Sequence, residues 1–414
     1  MVASLTIGMC LAVSVVSLLP TSIAFPFKKF HSVLPSTRRT PPANNLHHHT
    51  SILQDPRPEI PKVLSFGKTK AGKDVEIYTI ANKSGFSAEV MTRGATLVNL
   101  HVPDKDGKLV DVVLGFDDIA GYESDSNQYF GATIGRVCNR IKEGKFNLDG
   151  KKYTLAINNE SNHLHGGVER SFEKVVWKAE PFSNGDEEGQ GVKFSYTSLD
   201  GEEGYPGKLE IVVKFFIPAK SNSIEISYHA TTDARTPVNL TNHAYFNLSG
   251  EGSETVLNHI LELNAEGYTP SDETQIPTGE ITSVEGTDFD FRQPSRIGAR
   301  IDSIAKTPAL GFDHNYVLNR RAGEMGMTFV AQVTDQDSGR QMRVMTTEPG
   351  VQFYTGNYLF GQKGKGGKTY SCRSALCLET QHFPDAVNQP NFPTIILNPD
   401  EVYETKTTYS FDHE

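Results

Sequence analysis

The segment Leu376-Cys377-Leu378-Glu379-Thr380-Gln381-His382-Phe383-Pro384-Asp385 sets a carboxylate inside an apolar run. Burying a carboxylate is costly unless a partner stabilises it, so Glu379 is either half of a structural ion pair or a candidate acid–base group. Thr241-Asn242-His243-Ala244-Tyr245-Phe246-Asn247-Leu248 crowds amide, imidazole and phenol among apolar residues. On a strand, His243, Tyr245 and Asn247 share one face, although a lone histidine there is more often a core residue bonded to backbone. Three further clusters, Gly135-Arg136-Val137-Cys138-Asn139-Arg140, Asn162-His163-Leu164-His165-Gly166-Gly167 and Gly311-Phe312-Asp313-His314-Asn315-Tyr316, add an amide, a guanidinium, two histidines and a carboxylate. Together they hold a possible acid, a possible base and several groups that bind hydroxyls. Metal chemistry is not indicated: His163 and His165 could share a strand face, but a third ligand at a recognisable spacing is missing. His47 to His49 lie in a flexible tract with no fixed geometry. Cys138 has no visible helix N-terminus or base to make a thiolate, so it reads as a small buried thiol.

The elements that position these groups are strands. Val192 to Thr197, Leu209 to Phe215, Ile224 to Tyr228 and Met342 to Met345 alternate apolar and polar residues, and turn signals such as Asp104-Lys105-Asp106-Gly107, Asp149-Gly150, Lys220-Ser221-Asn222 and Asp337-Ser338-Gly339 separate such runs. Helical periodicity is hard to find after residue 60. The expectation is an all-β, large antiparallel sandwich over residues 62–414.

The 414 residues carry a net charge of −10, unevenly spread. Residues 1–58 hold five basic residues and one acid, leaving 35 basic against 49 acidic residues, or −14, in the remainder. Such a body has no footprint for a phosphate backbone, so nucleic acid is excluded as a partner. Met1 to Phe27 is uncharged, Ile7 to Leu19 is mostly apolar, and Ser22-Ile23-Ala24 has the small-x-small pattern of a signal-peptidase site. Residues 1–24 are read as a secretory signal, with an uncleaved anchor or a transit peptide as alternatives, and no stable membrane association is expected once the leader is removed. Residues 25–61, rich in Pro, His, Ser and Asn, read as an unfolded linker. Of the four cysteines, Cys10 falls in the leader, and Cys372 and Cys377 could pair in an oxidising compartment. Asn82, Asn159, Asn239 and Asn247 head N-x-S/T sequons, of which the last two flank the His243 segment and are expected to be buried.

In the same order along the chain, Gly131 to Ile141, Asn162 to Gly167, Asp200 to Gly207, Thr241 to Leu248 and Leu378 to Asp385 resemble the segments of the aldose 1-epimerases, as do Val113 to Asp117 and Gln352 to Asn357. The resemblance covers roughly residues 64 to 411. It implies a galactose-mutarotase-like β-supersandwich with an open carbohydrate cleft, no cofactor and a small aldose as substrate, and the chain is expected to be a monomer. Residue by residue, His243 matches the family's general acid and Glu379 its general base, whereas Asn139, Arg140, His165, Tyr245, Asp313 and Gln352 match positions that bind sugar hydroxyls or the reacting oxygens.

Interconverting α and β anomers needs one group to take the C1 hydroxyl proton and another to protonate the ring oxygen. The ring opens, the C1–C2 bond turns, and reclosure exposes the other face. A histidine near its reference pKa of ~6.5 is mostly neutral at pH 7, so the acid role asks for a raised value, which Glu379 and Asp313 could supply. Two rivals remain: an epimerase of hexose 6-phosphates, which would need a basic cluster that the motifs lack, and a secreted sugar-binding protein without turnover.

Overall fold

Along Leu209–Pro218 the side chains of Leu209, Ile211, Val213, Phe215 and Ile217 are buried and their neighbours are not, so the alternation of the sequence becomes a half-buried strand. In the computed structural model, which describes residues 60–185, 187–320 and 326–413, this strand lies in a nine-stranded antiparallel sheet. Its order is Lys178–Ser183, Gly189–Ser198, Leu209–Pro218, Ser223–Thr232, Tyr403–His413, Arg340–Thr346, Thr328–Thr334, Ile260–Leu263 and Ser295–Arg296. The last long strand, Tyr403–His413, sits in the middle, between Ser223–Thr232 and Arg340–Thr346. A five-stranded meander runs from Lys62–Lys68 to Leu109–Asp111. Helix among the described residues is confined to single turns such as Ile119–Tyr122 and Ile301–Ile304. The all-β expectation therefore holds. The leader and all of the linker but Ile60 and Pro61 lie outside the described residues.

A third sheet positions the chemistry: Thr282–Ser283, Ala265–Tyr268, Asp313–Leu318, Gly350–Tyr354 and Cys377–Gln381, in that order. Its last two strands are buried along their whole length, which is why neither alternates in sequence. One face, carrying Phe312, Val351, Phe353 and Leu378, packs into a core shared with the other two sheets through residues such as Leu97, Val213 and Ile226. The opposite face carries polar groups. Gln352 stands opposite Glu379 on one side and Asn315 on the other, and Tyr354 stands opposite Cys377 and Asp313. With a side-chain period of two, this register brings Asp313, Gln352, Cys377 and Glu379 to a single face.

Candidate active site

Four chain segments meet that face and enclose a cleft of about 320 Å³, at the small end of the range for small-molecule pockets. His243 follows the short strand Thr241–Asn242, which pairs with Thr133–Ile134. Its backbone is clamped on both sides, since its N–H donates to Ala132 O at 2.9 Å and its carbonyl accepts from Gly131 N at 3.0 Å. Gly131 is required there: at φ +67°, a Cβ would stand 1.9 Å from the Leu97 carbonyl oxygen. The imidazole lies parallel to Tyr245, with ring centroids 5.0 Å apart, and to Tyr129 at 5.8 Å.

His243 Nε2 lies 3.7 Å from Glu379 Oε1, and both side chains are almost wholly buried. The other carboxylate oxygen, Oε2, is buried without a hydrogen-bond partner. Beside them His165 meets the edge of His243, ring centroids 5.3 Å apart. The backbone N–H of Asn139 donates to His165 Nδ1 at 3.1 Å, and Asn139 Oδ1 accepts from the Arg140 N–H at 2.9 Å. Asn139 and His165 both hold left-handed backbone conformations, at φ +57° and +52°. The Arg140 guanidinium donates to Asn159 Oδ1 at 3.0 Å and to Gln275 Oε1, and Gln275 in turn donates to Asp313 Oδ2 at 3.0 Å. A continuous polar rim thus runs from Asn159 to Asp313.

All eight residues singled out in the sequence come together. Asn139, Arg140, His165, His243, Tyr245, Asp313 and Glu379 line the cleft. Gln352 sits behind it, donating from Nε2 to Asp313 Oδ1 at 2.7 Å, so its visible work is to aim that carboxylate. His163 points away, bonded to Ala156 O and the Tyr205 hydroxyl, each at 2.8 Å. Cys138 is the buried thiol expected, 3.4 Å from Gln381 Oε1. The pairing of Cys377 with Cys372 is not formed: Cys377 turns into the cleft face, where its Sγ is 3.6 Å from His243 Nδ1. Sequence reasoning missed Tyr129, Asn158, Glu160, Gln275 and Tyr358 as lining residues.

The electrostatics depart from expectation. Burial pushes the Glu379 carboxyl well above its usual range, with Asp313 adding to the rise and Arg140 opposing it. Burial also pushes His243 down to about 3, where a rise had been expected from the neighbouring carboxylates. The reason is desolvation: burial penalises both charged forms, raising the proton affinity of the carboxyl and lowering that of the imidazole. One proton shared by the pair can sit on the carboxyl or on Nε2, and moving it between them leaves the proton count unchanged.

His165, His243 and Glu379 could offer one ligand atom each, all within 4.8 Å of one another, a grouping different from the His163/His165 pair weighed in the sequence. The donor set does not fit a cation. Asn139 N–H can only donate, so His165 Nδ1 is an acceptor and the neutral ring carries its proton on Nε2, leaving neither nitrogen free to ligate. That same Nε2–H is a fixed donor for a substrate oxygen.

A cleft lined by amides, imidazoles, one guanidinium and carboxylates, on an all-β supersandwich, defines a carbohydrate-active site of acid–base type. Residues 76–410 match the family model for aldose 1-epimerase. The chain is 48% identical to galactose mutarotase from Bos taurus over 324 residues, covering 78% of this chain and 90% of that protein, and 36% identical to aldose 1-epimerase from Escherichia coli K12 over 343 residues, covering 82% and 96%. Among solved structures it is similar to an aldose epimerase homologue from C. elegans, with a TM-score of 0.74, 35% identity and coverage of 81% and 98%. The chain belongs to the aldose 1-epimerase family. It is an isomerase that interconverts the anomers of aldoses.

Proposed function

We propose that the cleft opens and recloses the pyranose ring of a free hexose such as glucose or galactose. Glu379 takes the C1 hydroxyl proton, and His243 Nε2 gives a proton to the ring oxygen, breaking the C1–O5 bond. The cyclic sugar faces carboxylate and imidazolium; the open aldehyde faces carboxylic acid and neutral imidazole. The pair holds one proton throughout, so reclosure on either face of C1 restores the start. The observation that carries this is the 3.7 Å separation of His243 Nε2 and Glu379 Oε1, which sets acid and base within reach of two oxygens on one carbon. The low proton affinity of the buried imidazole makes its cation a stronger acid than an exposed histidine. His165 Nε2–H, Asn139, Arg140 and Asp313 bind the hydroxyls, and Tyr245 covers an apolar face of the ring.

An unphosphorylated sugar is favoured because Arg140 is the sole lysine or arginine among the described lining residues, and its guanidinium is already engaged by Asn159 and Gln275. A phosphate would need more. Polarimetry of freshly dissolved α-D-galactose and α-D-glucose tests the reading. Acceleration toward the equilibrium rotation is expected, and a spontaneous rate unaffected by the protein would overturn it.

We further propose that the protein is secreted: the uncharged apolar leader closing at Ser22-Ile23-Ala24 supports export. A mature N-terminus near Phe25 is expected on sequencing protein exported by a eukaryotic host. An intact Met1, or a start beyond Pro41, would contradict it.

A further inference from the structure

We propose that Cys377 is a positioning residue that fixes which nitrogen of His243 exchanges the proton. The inference rests on the acid role of His243 and goes beyond it. The strand Cys377–Gln381 addresses both nitrogens of the ring. Glu379 Oε1 stands 3.7 Å from Nε2, and Cys377 Sγ, two residues earlier on the same strand face, stands 3.6 Å from Nδ1. The spacing follows from strand geometry, in which residues i and i+2 project to one side. The thiol is held in place: the backbone of Cys377 pairs with Tyr354, and its neighbour Leu378 receives the Tyr409 hydroxyl on its carbonyl at 3.1 Å.

The proton accounting shows what the sulfur must do. An imidazolium that loses its Nε2 proton to the ring oxygen keeps a proton on Nδ1, and the neutral ring must stay in that tautomer until Nε2 recovers its proton. Should the neutral ring instead settle with its proton on Nε2, the nitrogen facing the sugar could not accept one on reclosure. The 3.6 Å contact admits either direction, and the one assigned is Nδ1–H donating to Sγ, in which the sulfur accepts weakly and favours the working tautomer. It does so without a charge. A carboxylate at this place would also fix the tautomer, but it would stabilise the imidazolium and weaken it as an acid. Burial holds the Cys377 thiol protonated by pushing its pKa well up, so the acceptor remains neutral.

The test is nitrogen-15 NMR of histidine-labelled protein without sugar, together with kinetics. In the wild type the neutral His243 ring should carry its proton on Nδ1. Cys377→Ala should shift the population toward the Nε2–H tautomer and lower kcat roughly 10-fold, the size expected for the loss of one hydrogen bond, with KM unchanged. Cys377→Ser keeps an acceptor and should restore most of the rate and the Nδ1–H signal. Predominant Nε2–H in the wild type would overturn the inference, as would wild-type kcat and tautomer in Cys377→Ala. Equal losses in Ala and Ser variants with a matching fall in Tm would mark a packing role and overturn it too. The tautomer is read independently of turnover, so failure of the acid assignment would show separately, as full kcat in His243→Asn.

Discussion

Asn139 aims its backbone N–H at Nδ1 of His165, 3.1 Å away, and this one bond decides the chemistry of the ring. Protonating Nδ1 would set two donors against each other. Burial, His243 and Arg140 also push the His165 pKa well below its ordinary value, so the residue stays neutral and donates only through Nε2. EDTA should therefore leave turnover unchanged, because His165 cannot complete a three-ligand site with His243 and Glu379. Loss of rate on chelation, restored by zinc, would refute this.

Glu379→Gln keeps size and hydrogen-bonding reach but cannot accept a proton, and His243→Asn cannot donate one at Nε2. Each should lower kcat by ~10²–10⁴-fold with little effect on sugar binding. The double variant should lose less than the product of the two, since both act in one proton circuit. Steady-state polarimetry decides. Full kcat in either single variant would remove that residue from the circuit.

The rate of the wild type should be bell-shaped in pH, each limb belonging to the His243–Glu379 pair rather than to one residue. At low pH the pair gains a second proton, and at high pH it loses its only one. Asp313 raises the proton affinity of Glu379, so Asp313→Asn should move both limbs to lower pH in addition to raising KM. Unmoved limbs would show that the two carboxylates are not coupled.

Gln275 is the bridge between Arg140 and Asp313. Gln275→Ala should unpair two polar groups at the rim, at about 1–2 kcal/mol, and so raise KM roughly 5- to 30-fold while leaving kcat nearly unchanged. A loss confined to kcat would place Gln275 in the proton circuit instead.

Stability should fall as pH drops below 6.5. Burial lowers the pKa of His163, His165, His243, His259 and His314, the last two to about 4 and His243 to about 3, so the unfolded chain binds protons that the fold refuses. Glu173, raised to about 7, with Glu379 and Asp385, works the other way, giving stability that is full at low pH and is lost as pH rises. Five histidines outweigh three carboxyls above 4.5, and below that the carboxyls no longer oppose. Tm should thus decline from pH 6.5 and more steeply below about 4.5. A higher Tm at pH 4.5 than at pH 7 would contradict this balance.

The strands were legible because most bury one face, and alternation reports that directly. Glu379 and His243 were legible as polar residues in buried runs, where the cost of burial demands an explanation. Gln275 was not. It sits on a loop closed by Asp272 Oδ1, which accepts from Thr274 N, Thr274 Oγ1 and Ile276 N. That local pattern announces a turn and is silent on what the turn faces. Tyr129 likewise reaches His165 and His243 only through long-range packing. The direction of the His243 pKa was beyond the sequence for the same reason: neighbouring charges can be guessed from motifs, but burial of the imidazole is a property of the assembled fold.

Five lining residues, Tyr129, Asn139, Glu160, His165 and Gln275, are not glycine and yet hold φ between +51° and +62°. Each such conformation costs about 1–2 kcal/mol for a residue with a Cβ, and glycine would relieve it at every position. Relief would delete the stacked ring, the amide, the fixed N–H donor or the bridge. The wall of the cleft is therefore maintained against its own conformational preference by the sheets behind it. Selection for heat resistance alone should erode this wall before it touches the core, trading turnover for melting temperature one substitution at a time.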